Sequence, residues 1–193
     1  MTDRRGPGLA AAARRAALGL AAMLGLVLGC AAASGDAIAA KPTSAEGAVE
    51  GPYDLAFPDA DGTNQPFAQW KGKVLVVNFW ATWCAPCVAE MPELEKMQRE
   101  FGRRGVVIVG LGTENAAQVR KFRDHQHLSL KLLSGGFDAM SIARNWGDHQ
   151  GVLPYTAVFS ADGKFLHSQV GPIVAARLRG WLNAALVGPP AHR

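Results

Sequence analysis

Two cysteines with two residues between them, Cys84-Ala85-Pro86-Cys87, stand just after the apolar run Val74-Leu75-Val76-Val77-Asn78-Phe79-Trp80. Their type and spacing point to thiol chemistry. At the first turn of a helix, unpaired amides and the helix dipole favour a thiolate over a thiol, and the thiolate is the form that attacks a disulfide. A zinc site is a second use of such a pair, but it needs about four ligands. Cys30 lies in a leader segment, and His125, His127, His149, His167 and His192 fall in no paired ligand spacing. A structural bridge is a third use, although closing so short a loop removes little chain entropy. Redox exchange is the leading reading, with metal binding and inert bridging as the alternatives.

A pair at a helix start needs a strand to deliver it and a helix to follow. The run from Val74 to Trp80 is apolar without alternation, which suits a strand buried on both faces. Val88, Met91, Leu94, Met97 and Phe101 then recur as one face of a helix over 85–101. Upstream, residues 53–57 read as a short strand that turns at Asp61-Gly62 towards Gln65-Pro66-Phe67, forming a small hairpin. Downstream, Gly102 to Gly105 ends the helix and Val106-Val107-Ile108-Val109 makes a second buried strand. Thr113 is the expected cap of a helix over 115–125, followed by a short strand at 130–133 and a short helix at 139–146. Strands at 155–159 and 165–170 flank the turn Ala161-Asp162-Gly163-Lys164, and an amphipathic helix over 173–186 closes the domain. This order of elements is that of an α/β sandwich.

The start of the chain has a different character. Arg4, Arg5, Arg14 and Arg15 precede the apolar stretch from Ala16 to Leu28, the order of a secretory signal over residues 1–29. Val27-Leu28-Gly29-Cys30 resembles a bacterial lipobox, in which Cys30 takes a lipid and begins the mature protein. Cleavage at Ala31-Ala32-Ala33 or at Ala37-Ile38-Ala39, giving a soluble exported form, and retention of the stretch as an anchor are the competing readings. Residues 30–52, rich in Ala, Gly, Ser and Pro, read as a flexible tether, residues 53–187 as the folded domain and 188–193 as a tail. Every route places the domain outside the cytoplasmic membrane, on the periplasmic side. The net charge of +4 belongs to the leader, because the residues from Cys30 onward hold 16 bases against 15 acids. No basic stripe remains to argue for nucleic acid.

Trp83-Cys84-Ala85-Pro86-Cys87 after a buried strand, with Leu153-Pro154-Tyr155-Thr156 far downstream, resembles the thioredoxin superfamily. The leader, the N-terminal hairpin and a helix-containing insertion between Asn115 and Trp146 are similar to its extracytoplasmic TlpA/ResA-like branch. The resemblance covers the chain from Tyr53 to Val187 and implies a thioredoxin-like sandwich. It also implies a thiol-disulfide oxidoreductase that reduces disulfides of partner proteins, apocytochromes in cytochrome c maturation among them. Cys84, at the exposed helix start, would be the nucleophile, and Cys87 would resolve the mixed disulfide. Pro86 fits the first helical turn, where no amide donor is lost.

The same resemblance implies a cis bond between Leu153 and Pro154, with Leu153 meeting a bound partner through its backbone. Glu90, three residues after Cys87 on one side of the helix, would accept the Cys87 proton if burial raises its pKa. Thioredoxin itself has a buried aspartate where Asn78 stands, and Asn78 cannot titrate. The bland alternative for Glu90 is an exposed carboxylate beside Glu93 and Glu95. Trp83 would offer partners an apolar face, while Glu114 is given no role. The redox-active pair itself needs no cofactor and the site no metal. The expected partners are oxidised client proteins, a membrane electron donor of thiol-reductase type, and the membrane through the leader or its lipid, with the protein a monomer. A disulfide oxidase or isomerase, and a non-enzymatic copper-binding chaperone, are the functional alternatives.

Overall fold

The computed structural model describes residues 51–187. The leader over 1–29, Cys30, nearly all of the tether and the tail at 188–193 lie outside the described residues. Among those described, no helix is long and apolar enough to cross a membrane.

A turn of 3-10 helix at Pro52–Asp54 leads into a hairpin of β1 (Ala56–Pro58) and β2 (Asn64–Pro66), and a second such turn spans Phe67–Trp70. The main body runs β3 (Val74–Trp80), α1 (Ala85–Phe101), β4 (Val106–Gly112), α2 (Ala116–Gln126) and β5 (Lys131–Ser134). It continues through α3 (Gly136–Asn145), β6 (Tyr155–Phe159), β7 (Phe165–Val170) and α4 (Ala175–Val187). The five main strands form one mixed sheet in the order β5-β4-β3-β6-β7. β3, β4 and β5 are parallel, whereas β6 and β7 pair antiparallel. This is the thioredoxin-like α/β fold. The segment after Asn115 is not an appendage, since its strand β5 completes one edge of the sheet.

The central strand explains its own sequence. Side chains alternate across a strand, so Val74, Val76 and Trp80 join one core cluster with Met91, Leu94 and Met97 of α1, Val119 of α2, and Leu178 and Leu182 of α4. Leu75, Val77 and Phe79 join a second cluster with Ala139 and Ala143 of α3, Trp146, Phe57, Phe67 and Trp70. Both faces are covered, which is why the run shows no polar alternation.

Several expectations shift by a few residues. Pro52 opens a helical turn that Leu55 N–H closes onto Pro52 C=O, so the first strand starts only at Ala56. Thr113 is no cap, because its N–H donates to Trp80 C=O and continues the sheet. Asn115 caps α2 instead, in a capping box with Gln118. β4 extends to Gly112 because Gly110, Leu111 and Gly112 pair with both β3 and β5, and only glycine fits at 110, where a Cβ would meet Leu132 Cδ2 at 2.8 Å. The last helix begins at Ala175 rather than at Ile173.

Candidate active site

Strand β3 ends at Trp80, and after three intervening residues the chain turns into α1 at Cys84. Cys84 is the N-cap of that helix, with extended backbone, and its Sγ accepts from Cys87 N–H at 3.3 Å. Cys84 N–H in turn donates to Ala81 C=O. Pro86 falls among the first helical positions, where its missing N–H costs no intrahelical bond. The helix continues without interruption past Pro92. Cys84 and Cys87 are joined as a disulfide, S–S 2.01 Å, the oxidised form of the pair. Cys87 is fully buried, and Cys84 is 6% exposed. The expected exposure at the helix start is thus mostly absent: Cys84 packs into the same cluster as Ala81, Trp80 and Met91.

Glu90 points into the protein. It is 6% exposed, so it is not the surface carboxylate that its neighbours Glu93 and Glu95 suggest. Its Oε1 accepts from Asn78 Nδ2 at 2.7 Å, and its Oε2 accepts from the Ile173 backbone N–H at 2.8 Å. The β3 alternation puts Asn78 on the α1 face, in phase with Val76 and Trp80. Asn78 Nδ2 also donates to Thr156 Oγ1 at 3.0 Å, its partner across the β3–β6 ladder. Burial raises the Glu90 pKa above the ordinary carboxylate value, against the two hydrogen bonds, which lower it. The result is a carboxyl held inside an apolar core, three residues from the buried sulfur.

Register brings the second sequence motif to the same end of the sheet. Phe79 pairs with Tyr155, so the chain just before β6 lies beside the chain just after β3. The Leu153–Pro154 peptide bond is cis. Pro154 is buried and its C=O accepts from Gly171 N–H at 2.8 Å. Leu153 is half-buried against both core clusters, and among the described residues its own N–H and C=O take no part in the loop hydrogen bonds around it. Trp83 is 73% exposed, which core packing does not explain, and Val152 and Val174 are exposed apolar residues on the loops before Pro154 and after β7. Trp80, by contrast, is fully buried and packs on Phe122 with ring centroids 4.7 Å apart.

Two further residues brace these loops. Glu114 is nearly buried, and its Oε1 accepts from both the N–H and the hydroxyl of Thr82, at 2.6 and 2.8 Å. Glu114 therefore fixes the turn that leads to Trp83 and Cys84. The signal for it is the parallel register, because Trp80 pairs with Gly112 and the residues two further on, Thr82 and Glu114, fall level. Asp148 is fully buried, and its Oδ1 accepts from Val152 N–H at 3.1 Å, shaping the loop in front of Leu153. No local pattern in the sequence marks it. Among the described residues, no group of three or more His, Cys, Asp or Glu side chains is arranged to hold a metal ion.

The chain matches the Redoxin family over residues 38–179, well over half of its length. It is similar to the thioredoxin-like protein YneN of Bacillus subtilis, 37% identical over 83 residues, which are 42% of this chain and 49% of that protein. That match thus spans about half the length of the relative. It is similar also to the thiol-disulfide oxidoreductase ResA of Bacillus thuringiensis, 29% identical over 126 residues, 65% of this chain and 70% of that one. Among solved structures, a thiol:disulfide interchange protein of the thioredoxin family from Chlorobium tepidum superimposes with a TM-score of 0.60 at 27% identity. It covers 68% of this chain and 92% of that chain.

Proposed function

The chain belongs to the Redoxin family, as a ResA-like thiol-disulfide oxidoreductase of the thioredoxin superfamily, and from that premise we propose that it reduces disulfides of partner proteins outside the cytoplasmic membrane. The observation that carries the reading is the Glu90 carboxyl set three residues after Cys87 and buried, and that burial pushes its pKa up.

In the reduced protein, the Cys84 thiolate attacks a sulfur of the partner disulfide, and one partner thiolate leaves. Glu90 then takes the proton from the Cys87 thiol. The Cys87 thiolate attacks Cys84 Sγ in the mixed disulfide, the Cys84–Cys87 bond forms, and the second partner sulfur departs as a thiolate. Two electrons have moved to the partner. Trp83, Val152 and Val174 supply an apolar rim for the partner, and the unengaged backbone of Leu153 pairs with it.

The apolar stretch from Ala16 to Leu28 behind Arg14 and Arg15, with Cys30 after it, supports export and a membrane attachment through a Cys30 lipid. A dithiol kept reduced in an oxidising compartment requires a membrane electron donor. Apocytochrome cysteines in cytochrome c maturation are the client class we favour. Trapping thiols in living cells tests the direction of flow. Mostly reduced Cys84 and Cys87, becoming oxidised when the donor is removed, is the expected result. Mostly oxidised protein with the donor intact would instead favour a disulfide oxidase.

A further inference from the structure

We propose that Asn78 is a positioning residue whose side-chain amide turns over when Glu90 gains or loses a proton, so that the base is hydrogen-bonded in both of its states. The inference rests on the reading of Glu90 as the base for Cys87.

Both partners of the Glu90 carboxyl are donors: Asn78 Nδ2–H to Oε1 and Ile173 N–H to Oε2. Two donors suit an ionised carboxylate. A protonated carboxyl must itself donate one hydrogen, and the Ile173 amide has nothing to receive it with. Asn78 has, because its amide carries donors at one end and an acceptor at the other, exchanged by a half turn of the terminal torsion. In the observed orientation Asn78 Oδ1 is buried with no hydrogen-bond partner among the described residues. Turning the amide over therefore breaks no bond at that oxygen but carries Nδ2 into the same unpartnered position, a desolvation cost that confines the turned state to the protonated carboxyl. Thr156 serves either orientation, since a hydroxyl accepts from an N–H or donates to a carbonyl. Once turned, Oδ1 accepts from the Glu90 carboxyl and the Thr156 hydroxyl together.

The balance is simple. The proton leaves Cys87 Sγ and becomes the Oε1–H of Glu90, while Asn78 exchanges no proton and no electron moves. An aspartate in this place would offer no donor. Its carboxyl, about as close to Glu90 as the Asn78 amide is, would compete for the same proton.

The elements around Glu90 bring other charged or titratable groups. Glu93 of α1 is tied to Arg179 of α4 at 2.7 Å, and Arg177 donates to Gln169. His167 of β7 stacks on Trp181, the Tyr155 hydroxyl donates to Trp146 C=O, and both cysteines are bonded. Among the described residues none of these hydrogen-bonds to Glu90.

The test is a pH titration of the oxidised protein by NMR, following the Asn78 side-chain amide and Glu90 Cδ together. The two should move with one midpoint. An NOE between the Asn78 amide hydrogens and the Thr156 side chain should be present above that midpoint and lost below it. In Glu90→Gln the pH response of Asn78 should vanish, and in Asn78→Asp the Glu90 midpoint should rise by about one pH unit or more. An Asn78 amide that stays still while Glu90 titrates, or an NOE that persists on both sides, overturns the proposal. The readout uses no turnover, so its failure leaves the exchange reaction, tested by thiol trapping, to stand or fall separately.

Discussion

The two faces of β3 have been put to different uses. On one face Leu75, Val77 and Phe79 meet an apolar wall, in which Phe79 packs on Trp146 and Tyr155 with centroids 5.6 and 5.8 Å away. On the other face the same strand carries Asn78 between Val76 and Trp80 and bonds it to Glu90 and Thr156. A buried polar group costs stability unless it is fully hydrogen-bonded, and among the described residues Asn78 Oδ1 has no partner. The difference teaches where this fold accepts a cost. One face is built for packing alone, and the other gives up some packing to bury a carboxyl three residues along the helix from Cys87.

Substitutions on each face should separate these uses. The largest effect belongs to the dithiol itself: Cys84→Ser should abolish multiple-turnover reduction of a test disulfide, while thermal unfolding still shows a cooperative transition. Phe79→Ala, on the packing face, should cost about 3–5 kcal/mol of stability in denaturant unfolding, with the exchange chemistry per folded molecule little changed. Glu90→Gln should do the reverse and slow exchange about a hundredfold, at the low end for a general base, without loss of stability near neutral pH.

The pH dependence of stability follows from the raised Glu90 pKa. A group whose folded pKa lies above its ordinary value in the unfolded chain favours the fold while protonated. That contribution is complete below the unfolded value and is lost as pH rises through the folded one. The wild-type protein should therefore lose stability over that window, whereas Glu90→Gln should give a flatter profile by chemical denaturation. The smallest effect expected is at Glu114→Gln, which loosens the Thr82 turn. It should slow exchange with a protein disulfide a few-fold, about 1 kcal/mol for a weakened hydrogen bond to a charged group, through the apparent KM more than through kcat.

Much of this was legible in local pattern. The Val74–Trp80 run, the helical face from Val88 to Phe101 and the strand pair at Tyr155–Phe159 and Phe165–Val170 are set by burial that repeats along the chain, and their bounds follow from it. What stayed hidden is non-local. The Asn78–Thr156 bond depends on the β3–β6 register, and the Thr82–Glu114 bonds depend on the β3–β4 register. Thr113 reads as a cap until Trp80 claims its amide. The burial of Cys84 and the bracing role of Asp148 likewise arise only once separate loops are packed together.

The central claim, that a buried Glu90 draws the proton from Cys87, is tested most directly on the resolving step. The mixed disulfide is formed on Cys84, and its release by Cys87 is followed across pH in the wild-type protein and in Glu90→Gln. The account predicts a wild-type rate that rises with pH through a midpoint above the ordinary carboxylate value, and a slower variant without that limb. Superimposable pH profiles for the two proteins would contradict it.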